Sequence, residues 1–252
     1  MRERLTGALQ HIGRIALLSW DTVRYAFRRP FEFNLLMEQF HHLGVRSLSI
    51  ANITALFTGM VLALQTAHTL GIYGAKLLIG DAVSLSIVRE LGPVLTALLV
   101  AGRVGAGITA EIGSMAVTEQ VDAIRALGAS PVKKLVVPKV IAVLVMLPLL
   151  TILADFVGIM GGLLISVKEL GQSPHFYMQH VITALTFDDI FSGLGKTVFF
   201  AGFIALVGCH NGLEATGGAD GVGRATTTTV VIASILILIS NFFLTKLFML
   251  FS

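Results

Sequence analysis

The chain has 252 residues, of which 55% are hydrophobic and only 13% are charged, and its mean hydropathy is +0.85. Soluble domains carry about 25% charged residues, so this composition excludes an ordinary soluble domain and indicates an integral membrane protein. The lone cysteine, Cys209, excludes an internal disulfide and a cysteine-based metal cluster. The pI near 9.2 reflects basic residues at the N-terminus and in short loops, which membrane orientation explains better than nucleic-acid binding.

Residues 1–30 predict an amphipathic helix that lies on the membrane. Apolar residues recur there every three or four positions, while most charged residues fall on other faces. The apolar positions are Leu5, Leu9, Ile12, Ala16, Trp20, Val23 and Phe27. A soluble helix packed on another chain is the alternative. The segment is predicted to end at Pro30, and residues 31–46 are predicted to form a linker or elbow.

Five apolar stretches are long enough to cross a membrane, for which about 20 residues suffice. They are residues 48–70, 82–110, 135–167, 194–213 and 226–251. The third stretch is too long for one untilted span, so a split at Pro148 gives a six-span alternative. With five spans the N-terminus is cytoplasmic and the C-terminus lies outside. The basic residues of the connecting loops then fall mainly on the inside, as the positive-inside rule requires.

Two connecting segments and one short motif bear on function. The polar residues 168–192 are predicted to form the longest loop on the side opposite the N-terminus, and the glycine-rich residues 214–224 a tight cytoplasmic turn. Gly195, Lys196 and Thr197 resemble the end of a phosphate-binding loop, but Ile190 occupies the earlier glycine position and no strand precedes it. We therefore predict no ATP site on this chain. The seven histidines lack ligand spacing, apart from the adjacent His41 and His42, so no metal site is predicted, and no catalytic residue is expected.

Charge inside a membrane span is costly and marks a functional hypothesis, and four of the charged residues within the predicted spans are singled out here. They are Arg89, Glu90, Arg103 and Asp155. Arg89 and Glu90 point about 100° apart on a helix, so we expect them to meet partners on other helices or to face water. Snorkelling at the outer interface is the alternative. The same charges motivate an ion- or proton-coupled carrier that acts alone, although the chain lacks the two matching halves of many such carriers.

Residues 118–127 predict a short polar helix between the second and third spans. Thr118 can cap its N-terminus, acidic residues lie in its first turn, Arg125 lies in its last turn, and Gly128 can end it. One face is apolar and comprises Val117, Val121, Ile124 and Leu127. The helix is far too short to span a bilayer. It either docks on a soluble partner or lies on its own membrane domain.

Three sequence blocks resemble the MlaE/YrbE family of ABC transporter permeases. The longest is RELGPVLTALLVAGRVGAGITAEIGSMAVTEQVDAIRALGASPVKKLVVPK, preceded by TGMVLALQ and followed by GVGRATTTTVV. The similarity covers nearly the whole chain. It implies a single permease domain over residues 1–252, all-α, with an interfacial and elbow region at 1–46, a transmembrane region at 47–252 and a cytoplasmic coupling helix after the second span.

The resemblance also implies partners and a substrate. A second copy of the chain, a cytoplasmic ABC ATPase that binds ATP and Mg, a periplasmic MCE-domain protein and a small STAS-domain subunit are expected. Family members move phospholipids between the bacterial inner membrane and the outer envelope and maintain outer-membrane lipid asymmetry, while related systems handle sterols or other hydrophobic molecules. A structural anchor for an envelope complex is a further alternative.

Carried onto this sequence, the resemblance assigns two groups of site residues. The ATPase-coupling helix comprises Thr118, Glu119, Gln120, Val121, Asp122, Ala123, Ile124, Arg125, Ala126 and Leu127. The candidates for a lipid cavity or its gating are Leu62, Leu64, Gln65, Arg89, Glu90 and Lys196. Lys196 is expected to lie near Arg89 and Glu90. Ordinary helix packing is the alternative explanation for the apolar residues of the first span.

Overall fold

The structure is a computed structural model that describes residues 2–26 and 33–251. All its regular elements in this part of the chain are helical. Eleven α-helices are described: α1 Arg2–Ala26, α2 Phe33–Gln39, α3 Leu48–Ile72, α4 Ile79–Ser86, α5 Gly92–Val100, α6 Ala106–Val117, α7 Gln120–Ala126, α8 Val137–Lys168, α9 Pro174–Ala184, α10 Phe187–Leu213 and α11 Gly218–Phe251. The π-helical turns are Phe40–Gly44, Ile87–Leu91, Ala101–Gly105 and Val132–Val136.

Because short π-helical and 3-10 turns join several of these helices end to end, five continuous helical runs are long and apolar enough to cross a membrane. They are Leu35–Ile72, Ile79–Val117, Val132–Lys168, Phe187–Leu213 and Gly218–Leu250. The predicted all-α membrane fold with five spans is therefore confirmed. The six-span alternative is wrong, because α8 continues through Pro148 as a single helix of 32 residues.

Several predicted boundaries were too tight, since polar residues extend the helices beyond their apolar centres. The predicted elbow at 31–46 is helical from Phe33 onward. The predicted loop at 168–192 contains α9. The glycine-rich segment 214–224 is not a turn throughout, because α11 begins at Gly218 and only residues 214–217 connect it to α10. Gly221 and Gly223 therefore lie inside α11 and not in a turn.

The predicted surface helix is present as α1. Leu17, Trp20 and Val23 are 68%, 71% and 56% exposed, while Leu18 and Thr22 on another face are buried. The buried face packs against the π-helical turn Val132–Val136. An exposed apolar face on a helix outside the spans fits the predicted membrane surface. The predicted end of this segment, including Phe27 and Pro30, lies outside the described residues.

The chain divides into two compact units, and the long helices contribute residues to both. The first unit comprises Met1–Val45, Val100–Met146 and Phe200–Ile237. Its interior contains a polar cluster in which the Thr229 hydroxyl oxygen accepts from Asn211 Nδ2 at 2.9 Å and lies 2.8 Å from the Thr109 hydroxyl. The Thr109 hydroxyl is also 3.0 Å from the carbonyl oxygen of Gly208. These buried polar groups hydrogen-bond to one another, as their burial requires.

The second unit comprises Arg46–Leu99, Leu147–Phe199 and Leu238–Ser252. Helices α3 and α8 approach so closely there that a Cβ at Gly59 would overlap the carbonyl of Gly158, a contact that small residues permit in membrane proteins. Helix α9 packs on α4 through Tyr177, which is buried and donates to the carbonyl oxygen of Ile159 at 3.3 Å. Burial raises the pKa of Tyr177 above its usual range, so this hydroxyl stays a donor.

Candidate functional site

A proline and a π-helical turn open the backbone of the second span at the predicted site. Pro93 has no N–H, so it cannot donate to the carbonyl of Arg89 four residues earlier. The π-helical turn Ile87–Leu91 immediately precedes it, and such turns relieve the local clash while leaving main-chain groups free. The carbonyl oxygen of Arg89 is taken instead by the Lys196 ammonium on α10, which donates to it at 2.9 Å.

Lys196 is the centre of a complete hydrogen-bonding network. An ammonium has three donors, and each finds an acceptor: the Arg89 carbonyl at 2.9 Å, Glu90 Oε1 at 2.6 Å and the Thr245 hydroxyl oxygen at 2.7 Å. The Lys196 side chain is only 1% exposed. A buried charge is tolerated only when it is paired and fully hydrogen-bonded, and Lys196 meets both conditions.

Glu90 joins three helices through the same network. Its Oε1 accepts from Lys196 and from the Thr245 hydroxyl at 2.9 Å, and its Oε2 accepts from Asn241 Nδ2 at 2.9 Å. Asn241 and Thr245 lie one turn apart on α11. The carboxylate side chain is 37% exposed, so Glu90 connects a buried lysine to an accessible surface.

Arg89 points to a different partner from its neighbour Glu90. Its Nε donates to Asp189 Oδ1 at 2.5 Å. The second carboxylate oxygen of Asp189 accepts from the main-chain N–H of Thr186 at 2.9 Å and from its hydroxyl at 2.8 Å. Asp189 is therefore held at the start of α10 with a side chain only 5% exposed, whereas the Arg89 side chain is 47% exposed.

The predicted partners of Arg89 and Glu90 on other helices are thus present. The contacts of the Glu90 carboxylate within the network argue against snorkelling of this residue. For Arg89, whose side chain is 47% exposed, snorkelling stays an alternative. Lys196 lies next to both residues, as expected. Residues of the network also line a cavity of about 180 Å³ whose wall includes Asp188, Phe191 and Phe248.

Arg103 and Asp155, the two other charges that the sequence singled out, take no part in the hydrogen bonds of this network. Arg103 is exposed in the π-helical turn Ala101–Gly105, which belongs to the first compact unit. Asp155 is buried on α8, and its Oδ1 occupies the place that a Cβ at Gly92 would need. That oxygen has no hydrogen-bond partner among the described residues.

An open apolar groove runs along one face of α3. Its volume is about 540 Å³, and its wall comprises Ile53, Thr54, Phe57, Thr58, Val61, Leu62, Gln65 and Leu91. The predicted cavity residues Leu62 and Gln65 therefore line it. Leu64 is 45% exposed but lies outside that wall. The groove has the size of ordinary ligand pockets, which measure about 300–1,000 Å³.

The short helix between the second and third spans is α7, and its start differs from the prediction. Thr118 is not its N-cap, because the Thr118 hydroxyl donates back to the carbonyl of Ser114 at 2.7 Å and ends α6. Glu119 makes the turn with φ of 60°, and α7 begins at Gln120. Gly128, with φ of 75°, follows the helix as predicted, and the Ala129 N–H bonds to the Ile124 carbonyl at 3.1 Å.

The apolar face of α7 is divided between the chain itself and the surface. Val121 is 4% exposed and packs inside the first compact unit, whereas Leu127 is 85% exposed. The Asp122 and Arg125 side chains form an exposed ion pair of 2.7 Å. The helix is therefore fixed to its own membrane domain through one side while Leu127 remains available to another molecule.

An ion pair brackets α7 in the sequence. The Lys139 ammonium donates to Glu111 Oε2 at 2.6 Å and to Gln39 Oε1 at 3.1 Å. The Lys139 side chain is 3% exposed and that of Glu111 is 46% exposed. Glu111 precedes α7 and Lys139 follows it, so this bond ties together the two segments that carry the helix.

Sequence reasoning missed Asp189, Asn241 and Thr245 as members of the site. Asn241 and Thr245 are polar residues spaced by four in an apolar helix, a signal that predicts a shared polar partner. Asp189 lay in the segment predicted as a loop. No group of three or more His, Cys, Asp or Glu side chains in the described part of the chain converges as a metal site.

The long apolar helices make this chain a multi-pass membrane protein. Ionic side chains are ordered between the helices, an open groove lies along α3, and a short exposed helix lies between two spans. These features are typical of a membrane permease. The family model for the permease MlaE matches residues 36–247. The chain belongs to the MlaE permease family.

Relatives agree with this assignment. A probable ABC transporter permease protein of Rickettsia bellii is 44% identical over 239 residues, covering 95% of this chain and 92% of the relative. The intermembrane phospholipid transport system permease protein MlaE of Haemophilus influenzae is 39% identical, over 85% of this chain and 83% of the relative. The chloroplastic protein TRIGALACTOSYLDIACYLGLYCEROL 1 of Arabidopsis thaliana is 37% identical, over 93% and 67%.

Proposed function

We propose that this permease moves phospholipids between the bacterial inner membrane and the outer envelope and so maintains outer-membrane lipid asymmetry. The observation that carries the proposal is the open groove on α3, which is lined mainly by apolar side chains and has a volume of about 540 Å³. Because α3 belongs to a membrane span, an acyl chain would reach this groove from the bilayer without crossing water. Membership of a family that includes a named phospholipid permease supports the same substrate.

The proposed assembly contains two copies of the chain. On α3, exposed apolar residues recur every three or four positions at Ile50, Ile53, Phe57, Val61 and Leu64. Only 22% of the 18 consecutive residues that make up the apolar centre of this span are buried within the chain. A second copy facing this stripe would enclose the groove, with the lipid held between the two copies.

ATP hydrolysis is proposed to belong to a separate cytoplasmic ABC ATPase, which binds ATP and Mg. Exposed Leu127 at the end of α7 supports docking of such a partner. The orientation follows, with the N-terminus and α7 in the cytoplasm and the C-terminus in the periplasm. A periplasmic MCE-domain protein would then exchange lipid at the opposite face, and a small STAS-domain subunit would join the complex on the cytoplasmic side.

The proposed mechanism is mechanical. Closure of the ATPase pushes α7, which Val121 and the Lys139–Glu111 ion pair join to the spans on either side. The spans that carry the groove rearrange, and the lipid passes to or from the MCE protein. The network of Lys196, Glu90 and Arg89 gates this passage, because its charges hold α10 and α11 to the second span.

The test is affinity purification in mild detergent, mass spectrometry of co-purifying proteins and lipids, and reconstitution of the complex in vesicles with fluorescent phospholipid. We expect an ATPase, an MCE-domain protein and phospholipid to co-purify, and lipid transfer to require ATP. Recovery of the chain alone, with transport driven by a proton gradient in the absence of ATP, would overturn the proposal. That outcome would favour the lone carrier that buried Asp155 motivates.

A further inference from the structure

The cavity of about 180 Å³ beside the ionic network carries unbalanced charge. Its wall contains two cations, Arg89 and Lys196, and three carboxylates, Glu90, Asp188 and Asp189. Lys196 is neutralised by Glu90, and Arg89 is paired with Asp189. Asp188 has no ion pair or hydrogen bond among the described residues and is exposed. Asp188 is therefore the carboxylate of this wall that has no partner in the described part of the chain, and it is accessible to a cation from outside.

The same wall has unused donors. Arg89 uses only its Nε in the bond to Asp189, and its remaining guanidinium nitrogens make no hydrogen bond within the described residues. The Arg89 side chain is 47% exposed. A guanidinium presents five N–H donors in a planar fork that matches phosphate oxygens. The cavity thus offers one free anion and one partly free cation, which is the complement of a zwitterion.

Two aromatic rings and the size of the cavity narrow the ligand further. Phe191 and Phe248 line the wall, and Phe191 is 73% exposed. Aromatic faces attract ammonium groups, including quaternary ones. Drug-sized ligands occupy pockets of about 300–1,000 Å³, so a cavity of about 180 Å³ fits a head group and not a whole lipid. A metal ion is disfavoured because no convergent metal-ligand cluster occurs in the described residues.

We infer that this cavity binds the head group of a zwitterionic phospholipid, with its ammonium at Asp188 and the aromatic rings and its phosphate at Arg89. This inference rests on the proposed lipid transport and adds a preference to it. Anionic phospholipids lack the ammonium and bring a net negative charge to a wall that already has one carboxylate in excess. The site therefore selects for zwitterionic over anionic lipids.

The test uses the purified full-length chain with its co-purifying partners. It is reconstituted into vesicles of equal amounts of phosphatidylcholine and phosphatidylglycerol with identical acyl chains, then repurified, and the retained lipids are quantified. We expect the choline lipid to be enriched over the bulk ratio. Asp188→Asn lowers this enrichment roughly two- to fivefold, the size of one partly screened ion pair. Asp188→Glu, which keeps the charge, preserves the enrichment.

Glu169→Gln is the matched control, because Glu169 is an exposed carboxylate in the same compact unit and does not line the cavity. Its retained lipids should match those of the unmodified protein. Retention of both lipids in the bulk ratio, or enrichment that Asp188→Asn leaves unchanged, overturns the head-group site while leaving lipid transport standing. Retention of no phospholipid overturns the proposed transport as well.

A second arm separates a lipid head group from a free zwitterion. Calorimetric titration with soluble phosphocholine measures binding without acyl chains. If phosphocholine displaces the retained choline lipid from the unmodified protein but not from Asp188→Asn, the head-group site is supported. Phosphocholine binding that depends on Asp188 in a protein with no lipid preference would assign the cavity to a soluble zwitterion and overturn the lipid assignment.

Discussion

The ammonium of Lys196 lies 2.9 Å from the main-chain carbonyl oxygen of Arg89, the carbonyl that Pro93 leaves without its helical donor. A side chain on α10 thus completes a hydrogen bond that the second span cannot make for itself. The same ammonium pairs with Glu90 at 2.6 Å. The proline, the π-helical turn and the buried lysine therefore act as one structural feature.

Replacing Lys196 with methionine should destabilise the protein and abolish transport. The change leaves the Arg89 carbonyl and the Glu90 carboxylate without their buried donor. Removing one partner of a buried pair costs about 3–5 kcal/mol, and the cost here falls toward the lower end because Glu90 is 37% exposed. The measurement is thermal unfolding in detergent, together with vesicle lipid transfer.

Lys246→Met is the control for this prediction, because Lys246 is exposed on α11 one residue beyond Thr245. It should leave the melting temperature nearly unchanged. Equal destabilisation by both variants would show that loss of any lysine on these helices has the effect, and the role assigned to Lys196 would be wrong.

A double-mutant cycle of Arg89→Gln and Asp189→Asn should show coupling between the two residues in the free energy of unfolding. Residues in contact typically couple by about 0.5–3 kcal/mol. We expect a value near the lower end because the Arg89 side chain is 47% exposed. The asparagine keeps an oxygen that can accept from Thr186, so the start of α10 is preserved.

The exposed pair Asp122 and Arg125 on α7 provides the comparison cycle. This pair is three residues apart on one helix and both side chains are more than half exposed, so its coupling should be about 0.3–0.5 kcal/mol. A coupling for Arg89 and Asp189 no larger than this would contradict a structural role for their ion pair.

The spans were predictable from their long apolar stretches, and the charged residues within them were predictable because charge inside an apolar helix is conspicuous. The hydrogen-bond partners of these charged residues were harder to predict. Asp189 lay in a segment with mixed composition, and only the tertiary fold brings it to Arg89. Asn241 and Thr245 carried a local signal, but nothing local identifies Glu90 as their partner.

Helix ends were predicted less well for a related reason. Glycine and aspartate lower intrinsic helix propensity, yet residues 218–225, which contain both, are helical as the first turns of α11. Thr118 was taken as an N-cap from its position alone, whereas its hydroxyl bonds backward to Ser114. The hydroxyl of a threonine between two helices can accept from an N–H of the following helix or donate to a carbonyl of the preceding one. The sequence does not show which of these hydrogen bonds it makes.

Leu127→Asp should weaken binding of the ATPase without unfolding the permease. Leu127 is 85% exposed, so a charge there costs little in the isolated chain but is unfavourable in an apolar interface. Val121→Asp should instead unfold the first compact unit, since Val121 is 4% exposed. Co-purification of the ATPase and the melting temperature of the permease separate the two effects.

Ile182→Asp serves as the control for Leu127→Asp. Ile182 is 72% exposed on the short helix α9, which is predicted to lie on the opposite side of the membrane. The Ile182→Asp variant should bind the ATPase as well as the unmodified permease does. If Leu127→Asp retained the ATPase as well as Ile182→Asp does, docking through the end of α7 would be wrong.

Breaking the ion pair between Lys139 and Glu111 should uncouple ATP hydrolysis from lipid transfer. The pair joins the segments before and after α7 at 2.6 Å, so a push on α7 reaches both spans together. Lys139→Met leaves Glu111 and Gln39 without their common donor. We expect more ATP hydrolysed per lipid transferred by the reconstituted complex, and Lys134→Met, at an exposed lysine nearby, should leave this ratio unchanged.

Loss of stability alone would also lower transport, so a charge reversal decides between the two explanations. Glu111→Lys and Lys139→Glu each place two like charges together, and combining them restores an ion pair with the opposite polarity. The double variant should recover part of the coupling ratio lost in each single variant. If thermal stability recovers while the ratio does not, the pair supports the fold but does not transmit the movement of α7.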